Sequence, residues 1–252
     1  MTSAVIVIPT IGTEKLVQAL DGAVNQTHPN TEVWSIIDGP EFADRSLEIL
    51  KKYPAVKHCV LPANTGKDGW YGHRILAAVS FLFNHDYILY CDEDNWFLPN
   101  HVQTMIDTIN VHNLHWCHSL RKIYDKDLNY ICDDDCESLG RWPIYLSDQH
   151  RLVDTSTYCI RREVIVGLAS AWYSGWGGDR RFYSIIDQHV PNYKCTGQAT
   201  VCYRLDGNPG SVTADFFITG NEVMKQRYNG NFPWKKQEPH LSQVGPGISV
   251  VI

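Results

Sequence analysis

Short apolar runs alternate with amphipathic segments along the first third of the chain. Residues 4–8, 32–37 and 87–91 are rich in β-branched and aromatic side chains, a pattern typical of strands buried on both faces of a sheet. Between the first two runs, apolar residues recur at helical spacing over 14–25. A strand, a helix and a strand in this order predict a βαβ unit, and hence a largely parallel sheet in an α/β fold.

The rest of the chain continues this alternation. Further strands are predicted at residues 56–61, 115–123 and 154–162, and further helices at 46–53, 73–84, 99–110, 180–186 and 221–228. Residues 124–149 are polar and irregular, which indicates an insertion. No internal repeat and no linker rich in proline, glycine or serine divides the sequence, so a single domain is expected.

Carboxylates directly follow two of the predicted strands. Asp38 ends the second strand, and Asp92, Glu93 and Asp94 end the strand 87–91. Ligands of largely parallel α/β sheets bind outside the carboxyl ends of the strands. Neighbouring acids in such a place repel each other unless a cation lies between them. Mg²⁺ or Mn²⁺, held by one or two carboxylates and by substrate phosphates, meets that need, whereas a solvated Asp-rich turn is the alternative.

A loop at residues 62–72 leads into the helix predicted at 73–84. Its three glycines let the backbone approach a ligand closely. Lys67 lies in this loop, and Arg74 lies in the first helical turn, where a cation opposes the helix dipole. Both cations are therefore candidates to face an anion, with ordinary surface charge as the alternative. The first βα turn lacks Gly-x-Gly-x-x-Gly, which disfavours an ordinary dinucleotide-binding fold.

The order of these motifs resembles the inverting nucleotide-sugar glycosyltransferases of family 2, whose fold is called GT-A. The resemblance covers about residues 4–204. It rests on Pro9-Thr10, Gln-Thr-His-Pro-Asn at 26–30, Asp38-Gly39, Leu-Pro-Ala-Asn-Thr-Gly-Lys at 61–67 and Asp92-Glu93-Asp94. It implies one domain with a Rossmann-like nucleotide-sugar-binding half at residues 1–98, an acceptor-binding half at 99–230 and a C-terminal tail at 231–252.

The resemblance also implies roles for individual residues on the donor side. Asp38 is expected to contact the nucleoside and Asp92 the ribose or the metal. Asp94 is expected to bind a divalent ion, Mn²⁺ or Mg²⁺, on the diphosphate of a nucleoside-diphosphate sugar. Further donor contacts are expected from Pro9, Thr10, Asn64, Gly66, Lys67, Arg74, Glu93 and Arg204.

Residues 203–212 form the candidate lid over the diphosphate. The segment is rich in glycine and is predicted to be a flexible loop that excludes water when it closes, with Arg204 as a clamp. An additional metal ligand is expected from His189 or Asp206, and the sequence does not choose between them.

Asp179 is the expected catalytic residue. Inversion by a single displacement needs one general base to take the proton of the acceptor hydroxyl, and the family places an acid just before the helix predicted here at 180–186. Two adjacent acids are usual in the family, whereas Gly178 occupies the first position in this chain. Asp154 is therefore the second candidate. The alternative role for Asp179 is that of the helix N-cap.

Composition narrows the partners. The net charge of −6 argues against nucleic acid, which needs a basic face. No apolar run approaches the roughly 20 residues that cross a bilayer, and eight scattered cysteines indicate free thiols in a reducing cytoplasm. The Cys-Asp-Asp-Asp-Cys run at 132–136 has no second Cys/His pair, so a polar loop is expected there rather than a zinc site.

Two other functions stay open on sequence alone. A nucleotidyltransferase or sugar-nucleotide pyrophosphorylase shares the metal-binding acids, but it is expected to carry a basic, Gly-rich segment where this chain has residues 9–13. A non-catalytic carbohydrate-binding module keeps aromatic residues yet has no need for acids at successive strand ends. The aromatic candidates for sugar stacking, with core packing as their alternative, are Trp70, Tyr71, Trp142, Trp172 and Trp176. The donor base, the donor sugar, the glycan, lipid or protein acceptor and the oligomeric state are not specified by the sequence.

Overall fold

The computed structural model describes residues 2–206 and 211–236, which fold around one nine-stranded sheet. The strands are β1 (Ala4–Thr10), β2 (Thr31–Ile37), β3 (Lys57–Val60), β4 (Tyr87–Tyr90), β5 (Trp96–Phe97), β6 (Trp116–Tyr124), β7 (Tyr130–Asp133), β8 (Tyr158–Arg161) and β9 (Tyr193–Arg204). The helices are α1 (Leu16–Val24), α2 (Ala43–Leu50), α3 (His73–Val79), α4 (His101–His112), α5 (Arg162–Leu168), α6 (Gly178–His189) and α7 (Ala214–Arg227). No helix within these described ranges is long and apolar enough to cross a bilayer.

The sheet has the strand order β3-β2-β1-β4-β8-β6-β9-β5, with β7 added beside β6. β1 pairs in parallel with β2 and β4, β2 pairs in parallel with β3, and β6 pairs in parallel with β9. β8 is antiparallel to both β4 and β6, while β5 and β7 are antiparallel to β9 and β6. Six of the nine strands, β1 to β4, β6 and β9, therefore run in one direction. The predicted α/β fold with a mostly parallel sheet is confirmed.

Alternate side chains of β1 feed two different hydrophobic cores. Ile6 packs with α1 and α4 on one face of the sheet, and Val5 packs with α3, α5 and α6 on the other face. All residues from Ala4 to Ile8 are fully buried, which accounts for the continuous apolar run in the sequence. A third core, which includes Phe217 and Trp234, lies beside β6, β9 and α7.

Parallel pairing brings the ends of β1, β2 and β4 to the same edge of the sheet. Thr10 is in register with Ile37, one residue before Asp38. Val7 is in register with Tyr90, two residues before Asp92. The polar residues that follow these strands therefore meet at one edge, as the sequence predicted.

Three strands lie where the sequence did not predict them: β5, β7 and β9. β7 forms within the segment 124–149, which was expected to be irregular. In β9 the register against β6 shifts between His118 and Leu120, opposite the stretch that contains Gly197 with its φ of 73°. The extra residues of such a bulge interrupt the alternation of apolar and polar positions. The sequence pattern therefore did not predict β9, although β9 is the longest strand that pairs with β6.

The described part of the C-terminal tail packs against the rest of the domain through Trp234. Residues 231–236 include a 3₁₀ turn at Pro233–Lys235, and the prediction for residues 237–252 lies outside the described residues. Trp234 is fully buried in the third core and donates its ring N–H to Asp135 over 2.8 Å. The tail is thus anchored to the acidic run at 132–136.

Candidate active site

Asp38 holds the loop 62–72 against the edge of the sheet. Its carboxylate is almost fully buried. One oxygen accepts the backbone N–H and the hydroxyl of Thr65, both over 2.7 Å, and the other accepts the backbone N–H of Gly66 over 2.8 Å. Because a carboxylate offers about four acceptor positions, roughly one remains for a ligand. Asp38 therefore fixes the loop and keeps limited capacity for a nucleoside.

Gly66 is required by this close approach. A Cβ atom at this position would lie 2.8 Å from the second carboxylate oxygen of Asp38 and 2.4 Å from the backbone oxygen of Tyr71. Asn64, beside it, is half-buried, and Lys67, after it, is exposed to solvent. The loop thus offers its backbone and an exposed cation at the mouth of the site.

Arg74 is built into the wall of the loop. Its guanidinium carbon lies 3.8 Å from the ring centre of Trp70, and one of its N–H groups donates to the Thr65 carbonyl over 3.2 Å. The Trp70 ring packs in turn on Tyr173, with 4.7 Å between ring centres. Arg74, which was predicted to face an anion, is therefore held in place by stacking on Trp70 and by its bond to the loop backbone.

Glu93 closes onto the first βα turn. It accepts a hydrogen bond from the Thr10 hydroxyl, and its carboxylate oxygen lies 3.4 Å from the backbone N of Thr13. The Thr10 hydroxyl also accepts the N–H of Gly12 over 2.8 Å. Pro9 packs at the same place, 3.2 Å from where a Cβ of Gly72 would lie. These residues join the turn after β1 to the acidic run after β4.

Asp92 is linked to Ser156 on the opposite side of the site. Its backbone N–H donates to the Ser156 hydroxyl over 3.1 Å, and the hydroxyl lies 3.2 Å from a carboxylate oxygen of Asp92. Burial raises the pKa of Asp92 well above its usual range, and the charges of Asp94 and Asp154 raise it further. The Asp92 carboxylate is thus destabilised as an anion wherever no cation compensates for it.

Asp94 lies beside Asp206 and Lys15. Burial raises the pKa of Asp94 to about 6, the Asp206 charge raises it and the Lys15 charge lowers it. Lys15 forms an ion pair with Asp206. This arrangement brings together residues 191 positions apart in the chain, Lys15 and Asp206. Two carboxylates and one ammonium therefore occupy the position that the sequence assigned to a metal.

The carboxylates of Asp94 and Asp206 suit a hard divalent cation, which prefers oxygen ligands. In the described part of the chain, no three His, Cys, Asp or Glu side chains are grouped closely enough to hold a metal ion. A cation here would complete its coordination with donor phosphates and water. His189 lies at the exposed C-terminal end of α6, ten residues and therefore about 15 Å along the helix from Asp179. Of the two expected additional ligands, only Asp206 lies in the site.

Asp179 lies in the first turn of α6, and Gly177, with a φ of 78°, occupies the cap position. The Asp179 side chain accepts the backbone N–H of Arg180 over 2.7 Å and caps no N–H further along the helix. The N-cap role is therefore wrong. The Asp179 charge raises the pKa of both Asp92 and Asp154, so the three carboxylates share one electrostatic environment.

The space around Gly178 explains why only one acid, Asp179, lies at the start of α6. A Cβ atom on Gly178 would lie 2.5 Å from the nearest ring atom of His73. The His73 Nδ1 is 2.8 Å from the backbone oxygen of Ser174, which fixes the ring in this position. No side chain fits at 178 while the ring is there. His73 thereby joins α3, the helix after the loop 62–72, to the turn that carries Asp179.

Asp154, the second candidate for the base, is occupied by a buried network. It accepts the backbone N–H of Ser156 over 2.9 Å and a guanidinium N–H of Arg121 over 2.8 Å. Arg121 also pairs with Asp134 and Glu137, each over 2.7 Å. Burial raises the pKa of Asp154, although the Arg121 charge lowers it. Each carboxylate oxygen of Asp154 thus has a hydrogen-bond partner, and Ser156 connects this residue to Asp92.

The acidic run at 132–136, expected to be a polar loop, begins in β7 and continues as a loop whose residues Asp134 and Asp135 are buried. Asp134 is fully buried and accepts the backbone N–H groups of Cys136, Glu137 and Ser138 over 2.9–3.0 Å. These bonds and Arg121 hold the pKa of Asp134 low, despite burial, which acts in the opposite direction. The cysteines of the run, like the other six, are free thiols.

Arg204 ends a strand rather than belonging to a loop. Tyr203 and Arg204 are the last residues of β9, and residues 207–210 of the expected lid lie outside the described residues. The Arg204 guanidinium donates to the Lys126 carbonyl over 2.7 Å and lies 3.9 Å from Asp206. Its backbone N–H donates to the buried Asn95 side chain over 3.2 Å. Arg204 is thus an ordered cation beside Asp206.

Four of the five candidate aromatic residues divide into two groups. Trp172 is fully buried and stacks on Phe182, and Trp142 packs on Trp234 in the third core. Trp176 is 78% exposed and Tyr71 is 56% exposed, so these two rings are open to solvent. Trp70, half-buried under Arg74, belongs to neither group.

The sequence missed Lys15, His73, Asn95, Arg121 and Ser156 as parts of this site. Ser156 and Arg121 stand in ordinary strand or turn contexts, and nothing in their spacing predicts a contact with an acid far along the chain. The one available signal was Lys15, a cation in the first turn of a helix, where it opposes the dipole as Arg74 does.

Comparison with known proteins gives one family and several solved structures. The model of the family "Glycosyl transferase family 2" matches residues 5–151. The crystal structure of S. aureus TarS 1-349 has a TM-score of 0.61 at 15% identity, over 81% of this chain and 60% of that one. TarS 1-349 in complex with UDP-GlcNAc gives 0.62 at 14% identity, over 93% and 68%. The TarS structure itself gives 0.60 at 15%, over 92% and 40%.

The present chain therefore spans between 40% and 68% of the TarS chains that it matches. At these identities the similarity shows a shared fold. No curated protein sequence has significant similarity to the chain.

Proposed function

The chain belongs to glycosyl transferase family 2, and on that premise we propose that it is an inverting glycosyltransferase of the GT-A type. It transfers a sugar from a nucleoside-diphosphate sugar to a hydroxyl of a glycan, lipid or protein acceptor. The observation that carries this proposal is the meeting of three carboxylates, Asp92, Asp94 and Asp179, at one sheet edge next to a glycine-containing loop. An edge of this kind is where ligands of open α/β sheets bind.

The donor half supplies positions for each part of the nucleotide. The loop anchored by Asp38 offers the backbone of residues 64–67 to the nucleoside, and the remaining acceptor position of Asp38 suits a base N–H or a ribose hydroxyl. Lys67 and Arg204 are the cations on either side of the diphosphate. TarS, which shares this fold, has been crystallised with UDP and with UDP-GlcNAc.

A divalent cation, when bound, would neutralise the charge that develops on the leaving diphosphate. Asp94 and Asp206 would hold it, with Asp92 beside them. Lys15 is paired with Asp206 in the structure and contributes a positive charge at the same place. These residues bind and orient the donor diphosphate.

Asp179 acts as the general base. The acceptor oxygen attacks the anomeric carbon and forms the new glycosidic bond while its proton passes to the Asp179 carboxylate. The bond between the anomeric carbon and the diphosphate oxygen breaks, and its electron pair stays on the diphosphate. His73 and Gly178 hold the turn that presents Asp179, and Asp154, paired with Arg121, keeps its place beneath Asp92.

The test is the Asp179→Asn variant, which preserves the size of the side chain and its bond to the Arg180 N–H. We expect it to retain the melting temperature and the affinity for nucleoside diphosphate of the wild type. Transfer should fall about 10²–10⁴-fold, the range for loss of a general base. Asp107→Asn, which removes an exposed carboxylate of α4 that the proposed mechanism does not use, is the control and should transfer normally.

Binding and stereochemistry separate the proposal from its competitors. Calorimetric titration with UDP, GDP and dTDP, with and without Mn²⁺, should find one nucleotide that binds, and proton NMR of the fresh product should show an inverted anomeric centre. Normal transfer by Asp179→Asn would remove the base assignment. A retained configuration would contradict the single displacement, and sugar binding without any nucleotide affinity would favour a carbohydrate-binding module.

A further inference from the structure

A second concave surface lies along α6, directly beside Asp179. The cavity has a volume of about 370 Å³ and is lined by Gln149, His150, Arg151, Arg180, Tyr183, Ser184 and Asp187. Residues 180, 183, 184 and 187 recur at spacings of three and four, so they form one face of the helix. Asp179 is one residue before the first of them. The cavity lining therefore begins at the residue that follows the candidate base and continues along α6 to Asp187.

The cavity is cationic, although the chain as a whole carries a net charge of −6. Arg151 and Arg180 line it, and Asp187 is its only carboxylate. Within the described residues, neither arginine forms an ion pair with a carboxylate at 4.0 Å or less. Arg180 lies over the exposed ring of Trp176, with 5.9 Å between the guanidinium carbon and the ring centre.

Arg151 is held in position by backbone oxygens. Its Nε donates to the Arg141 carbonyl over 2.9 Å, and a terminal N–H donates to the Gln149 carbonyl over 3.3 Å. Arg151 as a whole residue is exposed to solvent. A planar guanidinium fixed in this way is suited to a carboxylate or phosphate, because little side-chain freedom remains to be lost when the anion binds.

The floor of the cavity is the Tyr183 hydroxyl, which lies 2.7 Å from that of Tyr193. Burial raises the pKa of Tyr183 most; Asp187 raises it further, and Arg141 and Arg151 lower it. The fields of Arg141 and Arg151 therefore reach the buried Tyr183 hydroxyl. Arg141, which lies over the Tyr193 ring at 4.7 Å, is a third cation behind the lining residues. Outside the floor, the exposed Ser184 hydroxyl offers a neutral hydrogen-bonding group.

We propose that this cavity binds an anionic group, a phosphate or a carboxylate, carried by the sugar acceptor. The inference rests on the proposed glycosyltransferase function, and it narrows the acceptor to a negatively charged molecule. Arg151 and Arg180 bind the anion, and the neighbouring hydroxyl of the same acceptor then lies within one or two helical turns of Asp179. Neutral acceptors can still enter the cavity, but they bind more weakly because they make no charge-assisted hydrogen bonds with the two arginines.

The direct test compares glucose 6-phosphate, glucuronate and glucose as probes, by NMR titration of ¹⁵N-labelled protein. Both anions should shift the amide signals of α6, and neutral glucose should not. In the Arg151→Gln/Arg180→Gln variant, the affinity for glucose 6-phosphate should fall about tenfold, as expected for charge-assisted bonds at a solvent-exposed site. Raising the ionic strength should weaken the same binding in the wild type.

The matched control is Lys51→Gln/Lys52→Gln, which removes the same charge from an exposed site at the end of α2. It should bind glucose 6-phosphate as the wild type does. Equal binding of glucose and glucose 6-phosphate, equal loss in both double variants, or displacement of the anion by nucleoside diphosphate would overturn the proposal. The last result would assign the arginines to the donor.

Transfer assays distinguish this proposal from the broader one. A panel of neutral glycosides is assayed, each beside its phosphorylated counterpart. In the wild type the phosphorylated acceptor should have the lower KM. The double arginine variant should lose this difference in KM while its affinity for nucleotide is unchanged. Absence of nucleotide binding and of all transfer, with anion binding retained, would refute the glycosyltransferase function but leave an anion site. Transfer to neutral and phosphorylated acceptors with equal KM would refute the anionic acceptor alone.

Discussion

The Asp38 carboxylate anchors the loop 62–72 and is also the proposed ligand of the nucleoside. Its three accepted hydrogen bonds involve both Thr65 and Gly66, and the loop continues through Trp70 to Arg74. Losing the carboxylate therefore disorders a surface that the donor needs, in addition to removing a contact with it. The two effects act in the same direction on donor affinity.

Asp38→Ala should weaken the binding of the preferred nucleoside diphosphate by about 1.5–3 kcal/mol, the worth of charge-assisted hydrogen bonds. Thr65→Val removes only the hydroxyl bond and keeps the backbone bond, so its effect should be smaller. Calorimetric titration of both variants, with urea unfolding to check that they fold, measures this order. An unchanged dissociation constant in Asp38→Ala would mean that the loop is held without Asp38 and that the nucleoside does not contact it.

Single residues also show what the sequence can predict about the site. Asp38, Asp92 and Asp94 were predicted correctly as strand-end residues, because the end of a strand is a local property and parallel pairing then brings such ends together. The contacts of Lys15 with Asp206 and of Arg121 with Asp154 were not predicted. They join segments distant in sequence, and only the completed fold determines which charges meet.

At the scale of elements, local signals predicted β1, β2, β4 and α1 to α4 to within a few residues. They failed where tertiary pairing overrides the pattern, as in the bulged β9 and in β7, which pairs with the part of β6 that β8 leaves unpaired. The start of α6 is another such case. Asp179 was a plausible N-cap from its sequence, but the helix begins one residue earlier, with Gly177 as the cap and Gly178, packed on His73, in the first turn.

Gly178→Ala should displace this turn. The new methyl group would meet the His73 ring at 2.5–2.9 Å, so ring or turn must move, at a cost of about 1–3 kcal/mol for overpacking. Gly167→Ala in α5 is the control, because nothing lies within 4 Å of the added carbon. It should stabilise the protein by up to about 1 kcal/mol, as alanine does in a helix.

The two helices should also be coupled energetically. His73→Ala removes the ring and its bond to Ser174. The double variant with Gly178→Ala should therefore lose less unfolding free energy than the sum of the losses in the two single variants. In Gly178→Ala, transfer should fall more than nucleoside diphosphate affinity, because the displaced residue is Asp179. Strictly additive losses in the double variant would contradict the packing of His73 on Gly178.

At the scale of the whole molecule, β8 joins the parallel strands β1 to β4 to the parallel pair β6 and β9 by pairing antiparallel with both groups. Asp92, which follows β4, is bonded to Ser156 just before β8, and Ser156 is bonded in turn to Asp154 of the buried Arg121 network. Arg121 compensates three buried carboxylates, those of Asp134, Glu137 and Asp154. Removing one partner of such a buried group costs about 3–5 kcal/mol, so site and core are stabilised together.

Two buried histidines make the stability of the whole fold depend on pH. Burial lowers the pKa of His101 to about 3 and that of His118 to about 4, from 6.5. In each ring the Nε2 atom is buried without a hydrogen-bond partner. Below pH 6.5 the unfolded chain therefore binds protons that the folded protein excludes, so the unfolding free energy must decrease as pH falls from 6.5 towards 4.

Each histidine should contribute about 2 kcal/mol to the loss of unfolding free energy between pH 7.5 and pH 5.0, since one pKa unit corresponds to about 1.4 kcal/mol. Buried carboxylates with a raised pKa, such as Glu137 and Asp154, act in the opposite direction, so the wild-type change alone does not isolate the histidines. Urea unfolding of His101→Gln and His118→Gln at both pH values does. Each variant should lose about 2 kcal/mol less than the wild type on acidification, whatever its stability at pH 7.5, whereas His189→Gln at the exposed end of α6 should match the wild type. The same pH dependence in all four proteins would show that both imidazoles take up protons in the folded state.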